Sequence, residues 1–127
     1  MKVDGGVGFE LDTVGVQAQE LEEMGYSGIM TAETAHDPFF PLLVAAQNTQ
    51  KVELITSIAV AFARTPMILA NIGHDLNAYS KGRFVLGLGS QIRPHITKRF
   101  SMPWSSPAAR MREYILAMRA IWSNWHT

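Results

Sequence analysis

The chain has 127 residues and a mass of 14.1 kDa, about one domain's length, and 47% of it is hydrophobic. That apolar content excludes a disordered chain, and the absence of Cys excludes a disulfide scaffold. Eleven basic and eleven acidic residues cancel, so no net field draws the chain to nucleic acid or to an anionic membrane.

The first residues, Met1-Lys2-Val3-Asp4-Gly5-Gly6, are too polar for the apolar region of a secretory signal. The longest apolar run, Ile58 to Ala63, falls far short of the roughly 20 residues that span a bilayer. A chain without Cys is compatible with the cytoplasm, which is the expected location.

In chain order, a weak first strand is expected near Val3, ended by Gly5 and Gly6. Asp12 or Thr13 can then cap a helix carrying Val14, Ala18, Leu21 and Met24 on one face, with Gly25 as its stop. Gly28 to Ala32 reads as a strand, and Pro41 to Asn48 as a short helix. A longer strand is expected over Val52 to Ala61. Thr65-Pro66 supplies a cap and a first-turn proline for a helix bearing Ile68, Ile72, Leu76 and Tyr79, with Gly82 beyond its end. Arg83 to Leu88 is the next strand. Ser106-Pro107 then repeats the cap-and-proline device before a helical stripe of Met111, Ile115, Met118, Trp122 and Trp125, expected to pack in the core.

The three clearer strands are apolar at nearly every position rather than at alternate ones, as strands buried on both faces are. Strand onsets recur at about the spacing of βα units, in which parallel strands need a helical crossover. The chain is therefore expected to be a single α/β domain over residues 1–127 with a parallel sheet. A doubly wound open sheet and part of a TIM-type barrel both satisfy this pattern, and periodicity does not choose between them.

The chemistry-bearing residues cluster after the strands. Gly87-Leu88-Gly89-Ser90-Gln91-Ile92 lacks the third glycine of a dinucleotide fingerprint, which disfavours a nucleotide-binding reading. Its glycines serve either close packing or the approach of a planar ligand to the backbone. Glu33 and His36 share the loop after the second strand, where a carboxylate and an imidazole could move protons. His74-Asp75 reads as a surface pair. His36, His74, His95 and His126 are too scattered for a metal site, so none is expected. Thr56 and Ser57 put hydroxyls into an apolar strand, where burial demands backbone partners. Arg93, His95, Lys98 and Arg99 form a basic cluster, either a solvated loop or a seat for an acidic group. Met102-Pro103-Trp104 suggests a loop folded back onto something apolar.

Three stretches taken together resemble the luciferase-like monooxygenase superfamily. They are Gln19 through Glu33 with His36-Asp37-Pro38-Phe39, Thr56 to Pro66, and Ser80 to Ser90 followed by Trp104, Pro107 and Arg110-Met111-Arg112-Glu113. The likeness is greatest to the branch that uses the deazaflavin F420, with FMN as the alternative cofactor. It implies a TIM-type (β/α)8 barrel of which this chain covers about the first four βα units, an N-terminal half and a fragment of a longer barrel. The implied activity is an oxidoreductase transferring hydride to or from a small organic substrate. Glu33 and His36 match catalytic positions, Ser57-Ile58 the family's non-prolyl cis peptide, and Ser57, Ile58, Ala59, Gly89, Ser90 and Gln91 cofactor-binding positions. Ser57 departs from the glycine common at that bulge. A half-barrel also leaves two open sheet edges, so a homodimer is the expected assembly, with an apolar face exposed on the fourth or first strand. A catalytically inactive half-barrel that pairs through those edges is the competing reading.

Overall fold

The computed structural model describes residues 1–125; His126, named above, lies outside them with Thr127. The described residues contain strands β1 (Asp4–Gly6), β2 (Gly28–Thr31), β3 (Glu53–Thr56), β4 (Ala59–Val60), β5 (Phe84–Val85) and β6 (Leu88–Gly89). Helices α1 (Leu11–Glu23), α2 (Phe39–Asn48), α3 (Pro66–Tyr79) and α4 (Pro107–Asn124) alternate with them. By internal contacts the chain forms two compact units, Met1–Ala59 with Asp75–Gly87, and Val60–His74 with the residues from Leu88 onward.

The first unit holds a four-stranded sheet in the order β1-β2-β3-β5, every pairing parallel. Asp4 pairs with Gly28, Gly28 with Glu53, and Leu54 with Phe84, so the strands end level with one another. Its core comes from Val14 and Ala18 of α1, Ile29, Leu42, Ala45 and Ala46 of α2, and Val52 and Leu54, all buried. Phe84 packs against that core and meets Phe39 edge-on at 6.5 Å. Val85 on the outer strand is 41% exposed.

Two side chains tie distant parts of this unit together. The Glu22 carboxylate accepts hydrogen bonds from the backbone N–H groups of Gln50, Lys51 and Val52 at 2.8–3.1 Å. Desolvation pushes its pKa up, but these three donors and the Arg83 guanidinium outweigh that and hold it below the ordinary glutamate value. Arg83 donates to the carbonyls of Ala46, Thr49, Val52 and Ser80 and to the Thr49 hydroxyl at 2.9–3.2 Å. It thereby caps the carboxyl end of α2, whose last carbonyls have no intrahelical donor.

In the second unit, Phe62 of a 3-10 turn is the largest fully buried side chain. Trp104 meets Phe62 edge-on at 6.2 Å, so the loop before α4 does fold onto an apolar group. Of the expected stripe on α4, Met118 is buried, but Ile115 is 37% exposed, and the buried neighbour is Tyr114. Trp122 uses its indole N–H on the Ala70 carbonyl at 3.1 Å.

The boundaries correct several expectations. Gly5 and Gly6 do not end β1; they are two of its three residues. A Cβ on Gly5 would lie 3.1 Å from Leu21 and Tyr26, so a bare backbone lets this strand approach α1. Helix α1 begins at Leu11 without a side-chain cap, because the Thr13 hydroxyl donates to the Glu10 carbonyl instead of accepting from the helix. Helix α2 begins two residues before Pro41, with Asp37 accepting from the N–H groups of Phe39 and Phe40 at 2.7 Å. Thr65 does cap α3, accepting from Ile68 N–H at 3.3 Å. The long strands expected over Val52–Ala61 and Arg83–Leu88 are each broken in two.

Candidate functional site

Because the four strands run parallel and level, the residues following Gly6, Thr31, Thr56 and Val85 share one end of the sheet. That is the end where βα loops build sites in parallel α/β proteins. Both strand breaks lie there.

The first break, after β3, is the Ser57–Ile58 peptide, which is cis as the resemblance implied. Ser57 N–H donates to the Thr31 carbonyl at 2.6 Å, and Ala59 N–H to the Gly87 carbonyl at 2.9 Å. The Ile58 carbonyl accepts from Glu33 N–H at 3.1 Å. Among the described residues no hydrogen bond uses the Ser57 carbonyl or the Ile58 N–H. Ser57 is exposed, Ile58 half-buried and Ala59 fully buried, so burial increases along this segment.

The second break, at Leu86–Gly87, is closed. The Thr56 hydroxyl donates to the Gly87 carbonyl and accepts from Gly87 N–H, both at 2.9 Å. This gives the buried hydroxyl the backbone partner its burial requires. A Cβ on Gly87 would collide with the Thr56 carbonyl oxygen. Of the two uses left open for the glycines of this turn, close packing is the one Gly87 serves.

Glu33 and His36 belong to the loop Ala32–Pro38, which is pinned at its far end by the Thr31 hydroxyl donating to the Pro38 carbonyl at 2.8 Å. Asp37 in the same loop is committed to capping α2. The Glu33 main chain is fixed against Ile58, and its side chain is half-buried. His36 is exposed, and its ring stacks on Phe9 of the β1–α1 loop, centroids 4.9 Å apart and planes 15° from parallel. The first unit thus brings Glu33, Ser57, Ile58 and Ala59 into one hydrogen-bonded cluster, with His36 joined to it through the loop.

Gly89, Ser90 and Gln91 lie in the second unit, at β6 and just beyond it. Gln91 stands in the left-handed region at φ 56°, and the Ser90 hydroxyl donates to its carbonyl at 3.1 Å. Gln91 Oε1 lies 3.2 Å from His95 Nδ1 at the start of a π-helical turn, His95–Arg99. Arg93, His95, Lys98 and Arg99 are all exposed there, and Arg99 sits 5.0 Å over the Phe100 ring. Nearby in sequence, His74 is exposed with Asp75 and meets Trp125 edge-on at 5.1 Å.

The second unit also has a cavity of about 330 Å³ between the start of α3 and the first turns of α4, lined by Arg64, Pro66, Met102, Arg110, Glu113 and Tyr114 among others. The Tyr114 hydroxyl donates to the Arg64 carbonyl at 2.9 Å, and burial pushes its pKa up to about 12 against the pull of the Arg64 and Arg110 charges. Arg110 lies 4.3 Å over the Phe62 ring and donates to the Pro103 carbonyl at 2.7 Å. No three His, Cys, Asp or Glu side chains gather as metal ligands among the described residues. No helix among them is long and apolar enough to cross a membrane.

Phe9 and Glu22 carried no weight in the sequence. A lone aromatic beside a glycine-rich strand has no spacing signal, and the partners of Glu22 lie 28–30 residues away.

Comparison with known proteins extends over the whole of this geometry. The family model for luciferase-like monooxygenases matches residues 2–127. Uncharacterized protein Rv1360 of Mycobacterium tuberculosis is 59% identical over 125 residues, covering 98% of this chain and 37% of that protein. The protein named "Putative coenzyme F420-dependent oxidoreductase Rv3520c" of the same organism is 35% identical over 104 residues, 81% of this chain and 30% of its own length. Among solved structures, the oxygenating constituent of 3,6-diketocamphane monooxygenase from Pseudomonas putida, in complex with FMN, superposes with a TM-score of 0.83 at 18% identity. That match covers 96% of this chain and 40% of the other. The chain therefore spans well under half the length of the relatives it matches.

Proposed function

The chain belongs to the luciferase-like monooxygenase family, with the α/β architecture of four parallel βα units of its TIM-type barrel, and on that premise we propose that it binds F420, with FMN as the alternative. The proposed reaction is hydride transfer to or from a small organic substrate. The observation that carries this reading is the family match over residues 2–127. F420 is preferred because a relative bearing that cofactor in its name is 35% identical, whereas the FMN complex is 18% identical.

The residues present fit a planar cofactor. A flat ring with a polar edge needs backbone it can approach closely and groups not already paired. The Ser57 carbonyl and the Ile58 N–H are such groups, on a segment held from below by Thr31, Glu33 and Gly87. Ser57, Ile58 and Ala59 of the first unit are proposed to support the ring; for Gly89, Ser90 and Gln91 the cofactor-binding role rests on the family resemblance alone. When bound, the cofactor supplies the hydride chemistry itself. The protein's part is to orient it, exclude water and handle protons: His36 through a ring nitrogen, with Glu33 through a carboxylate oxygen as its alternative. The same reading takes the protein as cytoplasmic, with neither nucleic acid nor membrane as partner.

Titration of the purified chain with F420 and separately with FMN, followed by cofactor fluorescence, tests this. Saturable binding of one of them at micromolar concentration is expected; binding of neither overturns the reading.

The competing reading, a half-barrel that pairs through open edges as a homodimer, draws on the sheet order, in which β1 and β5 each have one neighbour. Light scattering separates the two. A concentration-independent monomer that binds cofactor removes the pairing reading, and a dimer that binds none favours it.

A further inference from the structure

We propose that Phe9 is a positioning residue that holds the His36 ring in one orientation, an inference that deepens the proton-transfer role given to His36 above and rests on it. An exposed imidazole on a loop ordinarily turns freely about its two side-chain bonds, and a freely turning ring is a poor proton donor or acceptor for a fixed partner. Here the rings are 4.9 Å apart and 15° from parallel, within the roughly 4.5–7 Å over which offset stacking is favourable. Phe9 is half-buried, so its ring is the more constrained of the two and can serve as the template.

Both loops are braced next to the stacked residues. Gly8 N–H, immediately before Phe9, donates to the Gln17 side chain at 3.0 Å, and Val7 N–H extends the β1 pairing to the Met30 carbonyl at 3.3 Å. On the other side Asp37, immediately after His36, is held by two α2 N–H groups at 2.7 Å, and Pro38 by the Thr31 hydroxyl. A stack between two free loops would be incidental. Between two loops tied down one residue away, it fixes the imidazole relative to the β1–α1 loop.

The test labels the histidines of the whole chain with carbon-13 and compares wild type with Phe9→Leu and Phe9→Tyr. Leucine keeps an apolar side chain without a ring; tyrosine keeps the ring. In wild type, cross-relaxation between the Phe9 and His36 ring protons is expected, with the His36 signals displaced upfield by the ring current. Phe9→Leu moves them downfield, and Phe9→Tyr holds them near the wild-type position. In turnover with bound cofactor, Phe9→Leu lowers kcat about tenfold with KM within about twofold, and Phe9→Tyr recovers it. Unmoved His36 signals in Phe9→Leu overturn the proposal, as does lost stacking with kcat intact. Should Phe9→Leu fail to fold, the wild-type cross-relaxation decides, and its absence overturns the proposal. A chain that binds neither F420 nor FMN overturns the functional reading instead, and the ring signals alone then decide whether Phe9 orients His36.

Discussion

The two strand breaks of the first unit sit side by side and are built in opposite ways. At Leu86–Gly87 the chain turns against a neighbour: Thr56 satisfies both polar groups of Gly87, and no space remains for a single carbon. At Ser57–Ile58 a carbonyl and an N–H make no hydrogen bond among the described residues, and the serine is exposed. The glycine sits at the sealed break and the larger residues at the open one, the reverse of what a rule of "glycine where the ligand approaches" would suggest. Small residues are needed where the protein packs on itself. Where a ligand is proposed to come, the requirement is unpaired backbone.

This contrast ranks the substitutions. Gly87→Ala is expected to have the largest effect, because the new methyl meets a backbone oxygen that cannot move without shifting β3; overpacking of this kind costs about 3 kcal/mol. Chemical denaturation measures it, and a loss below about 1 kcal/mol would show that the break is not sealed. Arg83→Met comes next. It strips donors from four carbonyls and a buried threonine hydroxyl, about 2–3 kcal/mol given that the carbonyls near the helix end can be partly rehydrated. Arg83→Lys should recover little, since one ammonium does not reproduce a planar fork. Full recovery by Lys would reduce the role of Arg83 to its charge.

The close packing of Gly87 is one of the two uses its sequence context offers, whereas the role of Arg83 has no mark in the sequence. The parallel strands were legible because each of the clearer ones is an unbroken apolar run, and the helix α3 because Thr65-Pro66 is a local signal. Gly5 and Gly6 misled, since their value lies in letting Leu21 and Tyr26 come close, a tertiary fact. Apart from the Ser80 carbonyl, Arg83 draws its acceptors from residues 31–37 positions away, and nothing local marks a charged residue as a helix cap. The capping of α2 by Asp37 depends on where that helix begins, two residues before the proline at which the sequence pattern starts it. The location of the candidate site was thus readable from strand ends. The stack of His36 on Phe9 was not, because it joins two loops that only the sheet brings together.

Glu22→Gln is expected to cost about 1 kcal/mol at neutral pH, the three N–H bonds being partly screened by solvent. Its sign with pH follows from the depressed pKa of the folded state. The stabilisation is present above the unfolded glutamate value and disappears as pH falls through the lower folded value. Thermal melts from pH 7 down to pH 2 should therefore show the wild type losing its advantage over Glu22→Gln on the acid side. A gap that stays constant over that range would mean that the carboxylate charge contributes nothing.

The smallest expected change in stability is at the open break, and it is the one that bears most on function. Ser57 is exposed and its hydroxyl makes no hydrogen bond among the described residues, so Ser57→Leu has room for its side chain and should alter stability by no more than about 0.5 kcal/mol. A leucine there nonetheless stands over the unpaired Ser57 carbonyl and Ile58 N–H. If a planar cofactor rests on that backbone, the variant should bind F420 or FMN at least about tenfold more weakly, roughly the 1.4 kcal/mol of one displaced contact set. The pairing of an unchanged melt with weakened binding is the informative result, since Gly87→Ala should weaken binding only by unfolding the protein. Unchanged affinity in Ser57→Leu would move the cofactor off this segment, and the two breaks would then differ in packing alone.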